Sequence, residues 1–254
     1  MMHKNSTCSF DLVRCFVASL VFAFYFMILC LLPSGLIAWW QQEPSAHIYG
    51  ILMLVYLMAG LGFTWWTRTQ LTMYGSLTVY RAMVLFWCVV MFCSALPFYI
   101  CSSAVTLTDA LFMAISGITT TGAEVMTDLA SLPYSLLFLR HWLEFLGGLG
   151  VVIVMAFFRS TMGGLQYERY KLDLPGLTRD HAMGLNQSET IQSLIKVYIF
   201  LWGLCFFGLW VLGLPTHEAF AESLSTVSTG GFGLYNMNLA HYNDLAGVKV
   251  FVAC

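Results

Sequence analysis

Long apolar runs, separated by short polar breaks, dominate the chain. Five of them, at about 16–40, 46–66, 82–101, 134–158 and 191–213, are long enough to cross a hydrocarbon layer as helices, which takes about 20 mostly apolar residues. A sixth begins near Asp244 and runs to Cys254. Two further segments, 108–131 and 216–243, are too short and too polar to span. Each opens on a suitable N-cap beside an acid, Thr108-Asp109 in one and Thr216-His217-Glu218 in the other. Each then passes through one apolar stretch into a run of Thr, Ser and Gly, and is expected to enter the membrane and return to the same side. The longest polar stretch, Arg159 to Thr190, mixes both charge signs and reads as a connection between two halves. Its Gly163-Gly164 and Pro175-Gly176 are turn signals.

Composition moves the solvent from water to lipid. Of 254 residues 59% are hydrophobic and 9% charged, where a soluble domain carries roughly a quarter charged. A net charge of -2 without a basic cluster excludes nucleic acid as a partner. The eight Cys form no CxxC pair, and Cys30, Cys88, Cys93 and Cys205 lie in apolar runs, so they read as small buried hydrophobes. The first apolar run, Cys15 to Trp40, exceeds the roughly 7–15 residues of a signal-peptide core and lacks a small-x-small cleavage site. It counts as a membrane helix.

Basic residues set the expected orientation. With the N-terminus in the cytoplasm and both short segments re-entrant from outside, Lys4, Arg14, Arg68, Arg81, Arg159, Arg169, Lys171, Arg179 and Lys196 fall on or near the cytoplasmic side. Only Arg140 and Lys249 do not. The acids Glu43, Asp109, Glu124, Asp128, Glu218, Glu222 and Asp244 lie outside or in the re-entrant loops. Such an outer vestibule raises the local cation concentration, although Asp109 and Glu218 also suit helix capping.

The two short segments form an internal repeat. Asp109-Ala110-Leu111-Phe112 through Ile118-Thr119-Thr120-Thr121-Gly122 is answered by Glu218-Ala219-Phe220 through Thr226-Val227-Ser228-Thr229-Gly230. From the acid to the key Gly the spacing is 13 residues in the first and 12 in the second. Each copy has an apolar run before and after it, giving helix–loop–helix twice, a pattern that places a transport site on a pseudo-symmetry axis. Non-helical backbone at membrane depth is tolerated where protein buries it or water surrounds it. Its carbonyl oxygens can then replace the hydration shell of an alkali cation. Gly permits the backbone angles this needs, and Thr and Ser hydroxyls add oxygen ligands. The preceding short helix points its partly negative C-terminal end at the ion.

The runs Asp109-Ala-Leu-Phe…Ser116-Gly-Ile-Thr-Thr-Thr-Gly-Ala123 and Ser225-Thr-Val-Ser-Thr-Gly-Gly-Phe232 resemble the first two pore-loop signatures of Trk-type potassium uptake proteins, the TrkH/KtrB/HKT superfamily. Trp142-Leu-Glu-Phe-Leu-Gly-Gly-Leu-Gly-Val-Val152, Met162-Gly-Gly-Leu-Gln-Tyr167 and Glu189-Thr190 are similar to further family segments, and the two leading helices match the TrkH branch. The resemblance is to the N-terminal half of such a protein. It implies a potassium-selective filter built from four such loops, with one key Gly in each. By position those glycines are Gly122 and Gly230, and the filter residues are Thr119, Thr120, Thr121 and Gly122, then Thr226, Val227, Ser228, Thr229 and Gly230. In the family, Ser at the first Gly position accompanies sodium permeation, so Gly122 implies potassium. The resemblance also implies K+ as the transported ion with no covalent cofactor, a dimer, a cytosolic nucleotide-binding regulatory subunit meeting the 159–190 segment, and a bacterial inner membrane location.

The expected fold is therefore an all-α polytopic membrane protein. Residues 1–80 form a cytoplasmic tail and two leading helices, 81–160 the first helix–pore loop–helix repeat, 161–190 a cytoplasmic linker, and 191–254 a second repeat cut off in its last helix. Two loops do not close a four-sided filter. Either two copies assemble, a separate chain supplies the rest, or this is a truncated remnant or accessory subunit that does not conduct. Cys254 falls about ten residues into an unfinished helix, too few to span, which favours truncation.

Other features have plainer readings. Gly147-Gly148-Leu149-Gly150 lacks the Lys-Ser/Thr of a phosphate loop and suits close helix packing. Arg140, His141 and Glu144 are intramembrane ionisable groups. They either brace the filter from behind or make a local Arg140–Glu144 pair at i,i+4. An enzyme using His141 and Glu144 as acid and base lacks a nucleophile or metal constellation, so the chain is read as a non-enzyme. Trp39-Trp40 and Trp65-Trp66 fall at helix ends and read as interfacial anchors.

Overall fold

The computed structural model describes residues 3–67, 76–126, 128–173 and 187–236. Among them every regular element is helical: α1 (His3–Trp40), α2 (Ala46–Thr67), α3 (Ser76–Cys101), α4 (Leu107–Ile118), a 3-10 turn (Leu129–Ser131), α5 (Tyr134–Asp173), α6 (Gln187–Val211) and α7 (Thr216–Val227). Five helices carry spans long and apolar enough to cross a membrane: Phe16–Trp40, Ala46–Trp66, Arg81–Cys101, Tyr134–Val154 and Glu189–Val211. At 12 residues each, α4 and α7 do not, being only about 18 Å long at 1.5 Å per residue. The protein is thus a multi-pass, all-helical membrane protein.

Within that architecture α5 is the hub. Of its spanning segment 61% is buried, against 11% for α6, and it packs against α1, α3, α4, α6 and α7. The glycines of its middle explain the close contacts. A Cβ at Gly147 would run into the Ile118 carbonyl at the end of α4, and one at Gly150 into the Trp87 ring of α3. At Gly148 it would meet Tyr198 Oη at 2.7 Å and Ser228 Cβ at 3.1 Å. The small-residue stripe admits four neighbours at once, α3, α4, α6 and the end of α7. A run of aromatic pairs, Phe138–Phe220, Phe145–Trp202 and Trp202–Phe220 among them, ties α5 to α6 and α7.

Several boundaries differ from the pattern of apolar runs. Helix α5 continues through Gly163 and Gly164 to Asp173, because two glycines cost only about 1 kcal/mol each in a helix and the residues around them favour it. The turn expected there does not form. Pro175-Gly176 and the segment beginning at Asp244 lie outside the described residues. The expected caps shift too. Thr106 caps α4, with Asp109 closing a capping box at the third helical position. Pro215 is the N-cap of α7 and makes no side-chain cap bond, so Thr108 and Thr216 are helical rather than capping residues.

The chain ends of several elements meet at one end of the bundle. Glu43, in the α1–α2 turn, accepts from the Ser135 backbone N–H at 3.2 Å and from the Ser135 hydroxyl. This places a carboxylate on the first turn of α5, where helix N–H groups are free. Tyr134 donates its hydroxyl to the His217 carbonyl at 3.1 Å, joining the starts of α5 and α7.

Candidate functional site

Helices α4 and α7 each run into a loop of Thr, Ser and Gly, and the two loops have the same backbone at a constant offset of 109 residues. Ala110 N–H bonds to Thr106 O at 2.9 Å and Ala219 N–H to Pro215 O at 2.8 Å. Thr119, Thr120 and Thr121 donate to Ile115, Gly117 and Ser116 carbonyls, and Ser228, Thr229 and Gly230 donate to Leu224, Thr226 and Ser225. Side chains follow suit. Thr119 Oγ1 donates to Ile115 O at 2.7 Å and Ser228 Oγ to Leu224 O at 3.0 Å. Left-handed φ angles recur at Thr120 and Gly122 (53° and 63°) and at Thr229 and Gly231 (54° and 111°).

This offset pairs Gly122 with Gly231 and Thr121 with Gly230. The sequence pairing of Gly122 with Gly230 is therefore one residue out of register. It followed from matching the first Gly of Gly230-Gly231, and the unequal spacing of 13 and 12 becomes 13 in both loops once Gly231 is taken. Thr226 and Val227 belong to the last turn of α7, where they match Gly117 and Ile118. Thr226 turns its hydroxyl back to Glu222 O at 2.8 Å.

The loops touch backbone to backbone. A Cβ on Gly122 would collide with the Gly230 carbonyl, and Gly122 Cα lies 4.0 Å from where a Gly231 Cβ would stand. All peptides described are trans, so each carbonyl points opposite to the N–H of its own peptide plane. The N–H groups of Thr229, Gly230 and Gly231 are all tied back, the last to Ser225 Oγ at 3.1 Å. The carbonyls of Ser228, Thr229 and Gly230 therefore face away from these helix-side partners. In the first loop the tied N–H groups of Thr120 and Thr121 turn the Thr119 and Thr120 carbonyls in the same way.

Behind the loops stands a charged layer on α5. Arg140, with 0% of its surface exposed, places Nη2 on the Glu124 carboxylate just after the first loop. Its guanidinium carbon also sits 4.2 Å from the centroid of the Phe232 ring after the second loop. Glu144, one turn on, accepts the Phe232 N–H through Oε1 at 3.4 Å. The Arg140 partner is thus Glu124 and not Glu144, so of the two readings from sequence the geometry is that of a brace behind the loops. His141 turns back on its own helix, with Nδ1 donating to Leu137 O at 2.7 Å.

Residues after the second loop add ties that sequence reasoning missed. Glu222, only 2% exposed, accepts the Leu234 N–H at 2.9 Å, so it lies behind the loop rather than in an open vestibule. Tyr235 donates to Glu218 at 2.9 Å. Leu129 N–H donates to Asn236 Oδ1 at 3.0 Å, joining the two loop returns. The periodicity of α7 signals Glu222, which falls one turn after the buried Ala219 on the same face; the Asn236 tie has no local sequence signal.

The family model described as TrkH, cation transport protein, matches residues 48–253. The Trk system potassium uptake protein TrkH of Salmonella typhimurium is 31% identical over 211 residues, covering 83% of this chain and 44% of that protein. TrkG of Escherichia coli is 30% identical over 217 residues, covering 85% and 45%. The crystal structure of the potassium transporter TrkH from Vibrio parahaemolyticus superposes with a TM-score of 0.72 at 27% identity, over 88% of this chain and 45% of that one. The chain spans less than half the length of these relatives. It belongs to the TrkH family of cation transport proteins.

Proposed function

We propose that the chain contributes two sides of a potassium-selective pore, lined by backbone carbonyls and hydroxyls of Thr119–Gly122 and Ser228–Gly231. The observation that carries this reading is the matched pair of loops, each with its N–H groups tied back and its carbonyls turned away from the helices behind. Oxygen dipoles presented this way suit an alkali cation shedding its water. The C-terminal ends of α4 and α7 add partial negative charge at the same place. The work is transport down or coupled to a gradient, without covalent chemistry, and K+ is cargo rather than cofactor.

The relatives are named for potassium uptake, which supports K+ as the ion. The remaining two sides of the filter come from further chain or from a second copy. The Lys and Arg pattern supports a cytoplasmic N-terminus, in the inner membrane of a bacterium. A cytosolic nucleotide-binding subunit meeting the 159–190 segment would regulate the pore, as the family resemblance implies.

Rubidium uptake by cells stripped of their own potassium transporters tests the proposal. Cells expressing the chain take up Rb+, and Gly122→Arg abolishes it. Protein present in the membrane without Rb+ uptake would count against a self-sufficient half-pore, and uptake that survives Gly122→Arg would remove the first loop from the path.

A further inference from the structure

We propose that Glu144 is a positioning residue for ion discrimination: from behind the second loop its carboxylate holds the Phe232 N–H and so aims the Gly231 carbonyl at the ion path. The inference rests on the reading of the two loops as that path. Three observations meet at this carboxylate. Its Oε1 is the acceptor for the Phe232 N–H at 3.4 Å. In a trans peptide the Gly231 carbonyl then faces the opposite way. A Cβ on Gly230 would fall on the Glu144 carboxyl carbon and both its oxygens, so the side chain occupies the space that a bare Gly230 leaves. The Phe232 ring is meanwhile held under Arg140 at 4.2 Å. Ring and N–H are fixed by two side chains one turn apart on α5.

Together with Ser225, which takes the Gly230 N–H on its carbonyl and the Gly231 N–H on its hydroxyl, Glu144 completes three successive N–H groups anchored behind the loop. The first loop uses another device at the matching point, where Ser116 Oγ donates to the Ala123 carbonyl at 3.0 Å. Glu144 therefore acts on one side of the path. Its second oxygen, Oε2, is buried without a hydrogen-bond partner, and the carboxylate also faces the Ser225 side chain; Oε1 is the oxygen that holds Phe232. A glutamine amide offers the same acceptor, whereas leucine fills similar volume without one.

The test is Rb+ uptake against Na+ competition in the transporter-stripped cells, with the amount of protein in the membrane measured alongside. Glu144→Gln keeps the wild-type Rb+/Na+ ratio to within about twofold. Glu144→Leu lowers it roughly tenfold, the size expected when one buried acceptor is withdrawn. Gly230→Ala, whose Cβ displaces the carboxylate, lowers it similarly and decides the matter if the leucine variant does not reach the membrane. A wild-type ratio in Glu144→Leu, or in Gly230→Ala when the leucine variant is absent, overturns the assignment, as does a lost ratio in Glu144→Gln. Wild-type protein that takes up Rb+ and Na+ alike overturns the potassium reading itself and this inference with it.

Discussion

The guanidinium of Arg140 rests on the carboxylate of Glu124, sixteen residues earlier and on the far side of the first loop. One partner is wholly buried and the other 29% exposed, so the pair joins the interior of α5 to the rim of the loop. Charge placed in a span is tolerated where it is paired inside the protein, and here the pairing fixes the chain just beyond Gly122.

Removing one member of this pair leaves the other stranded. Glu124→Gln is expected to destabilise the protein by about 3 kcal/mol, because the buried guanidinium loses its counter-charge. Arg140→Met in the same background restores part of that loss. A double-mutant cycle on thermal unfolding in detergent measures it, and additive single effects would show that the pair carries no coupling.

Glycines separate into packing sites and bystanders. Gly147→Ala drives a methyl into the Ile118 carbonyl and is expected to cost about 1–3 kcal/mol, the usual penalty of overpacking. Gly62→Ala in α2, with nothing within 4 Å, is expected to be neutral or stabilising by up to about 1 kcal/mol. Unfolding midpoints of the two variants compare them directly, and equal midpoints would dissolve the distinction.

Much of this was legible before any coordinates. The five spans follow from run length alone, and the repeat from two acid-to-glycine segments, since transmembrane length and backbone carbonyl chemistry leave strong local marks. What failed was local in a different way. The one-residue register of the second loop turns on which of Gly230 and Gly231 takes the left-handed angle; composition does not distinguish them, and the one sequence signal is the equal spacing of 13 residues from the acid to Gly122 and to Gly231. The tie from Leu129 to Asn236 spans 107 residues, and the partner of Arg140 lies in a loop rather than one turn along its helix. Contacts of that kind are decided by tertiary packing.

Thr120 and Thr229 hold φ at 53° and 54°, where a β-branched residue is strained. Strain of about 1–3 kcal/mol is tolerated at functional sites. Thr229→Gly is therefore expected to leave the unfolding midpoint unchanged or raise it, while lowering Rb+ over Na+ discrimination as the loop loosens. A clear fall in midpoint would show that the threonine is a stabilising residue instead.

Glu43 links the leading pair of helices to the start of α5. Glu43→Ala removes a charged acceptor from the Ser135 N–H and hydroxyl and is expected to cost about 1–2 kcal/mol, as for a lost helix cap. Glu43→Gln keeps an acceptor and loses less. Unfolding of the two variants that matches wild type would leave Glu43 without a structural role.

The central claim is that carbonyls of Thr119–Gly122 and Ser228–Gly231 face one ion path. Anomalous scattering from crystals of the protein soaked in thallium(I), a potassium surrogate, tests it most directly. The account predicts a thallium peak beside the touching loops, within coordinating distance of their outward-facing carbonyls, displaced by excess K+ and not by Na+. Ordered loops with no peak there, or a peak that Na+ displaces equally well, would contradict it.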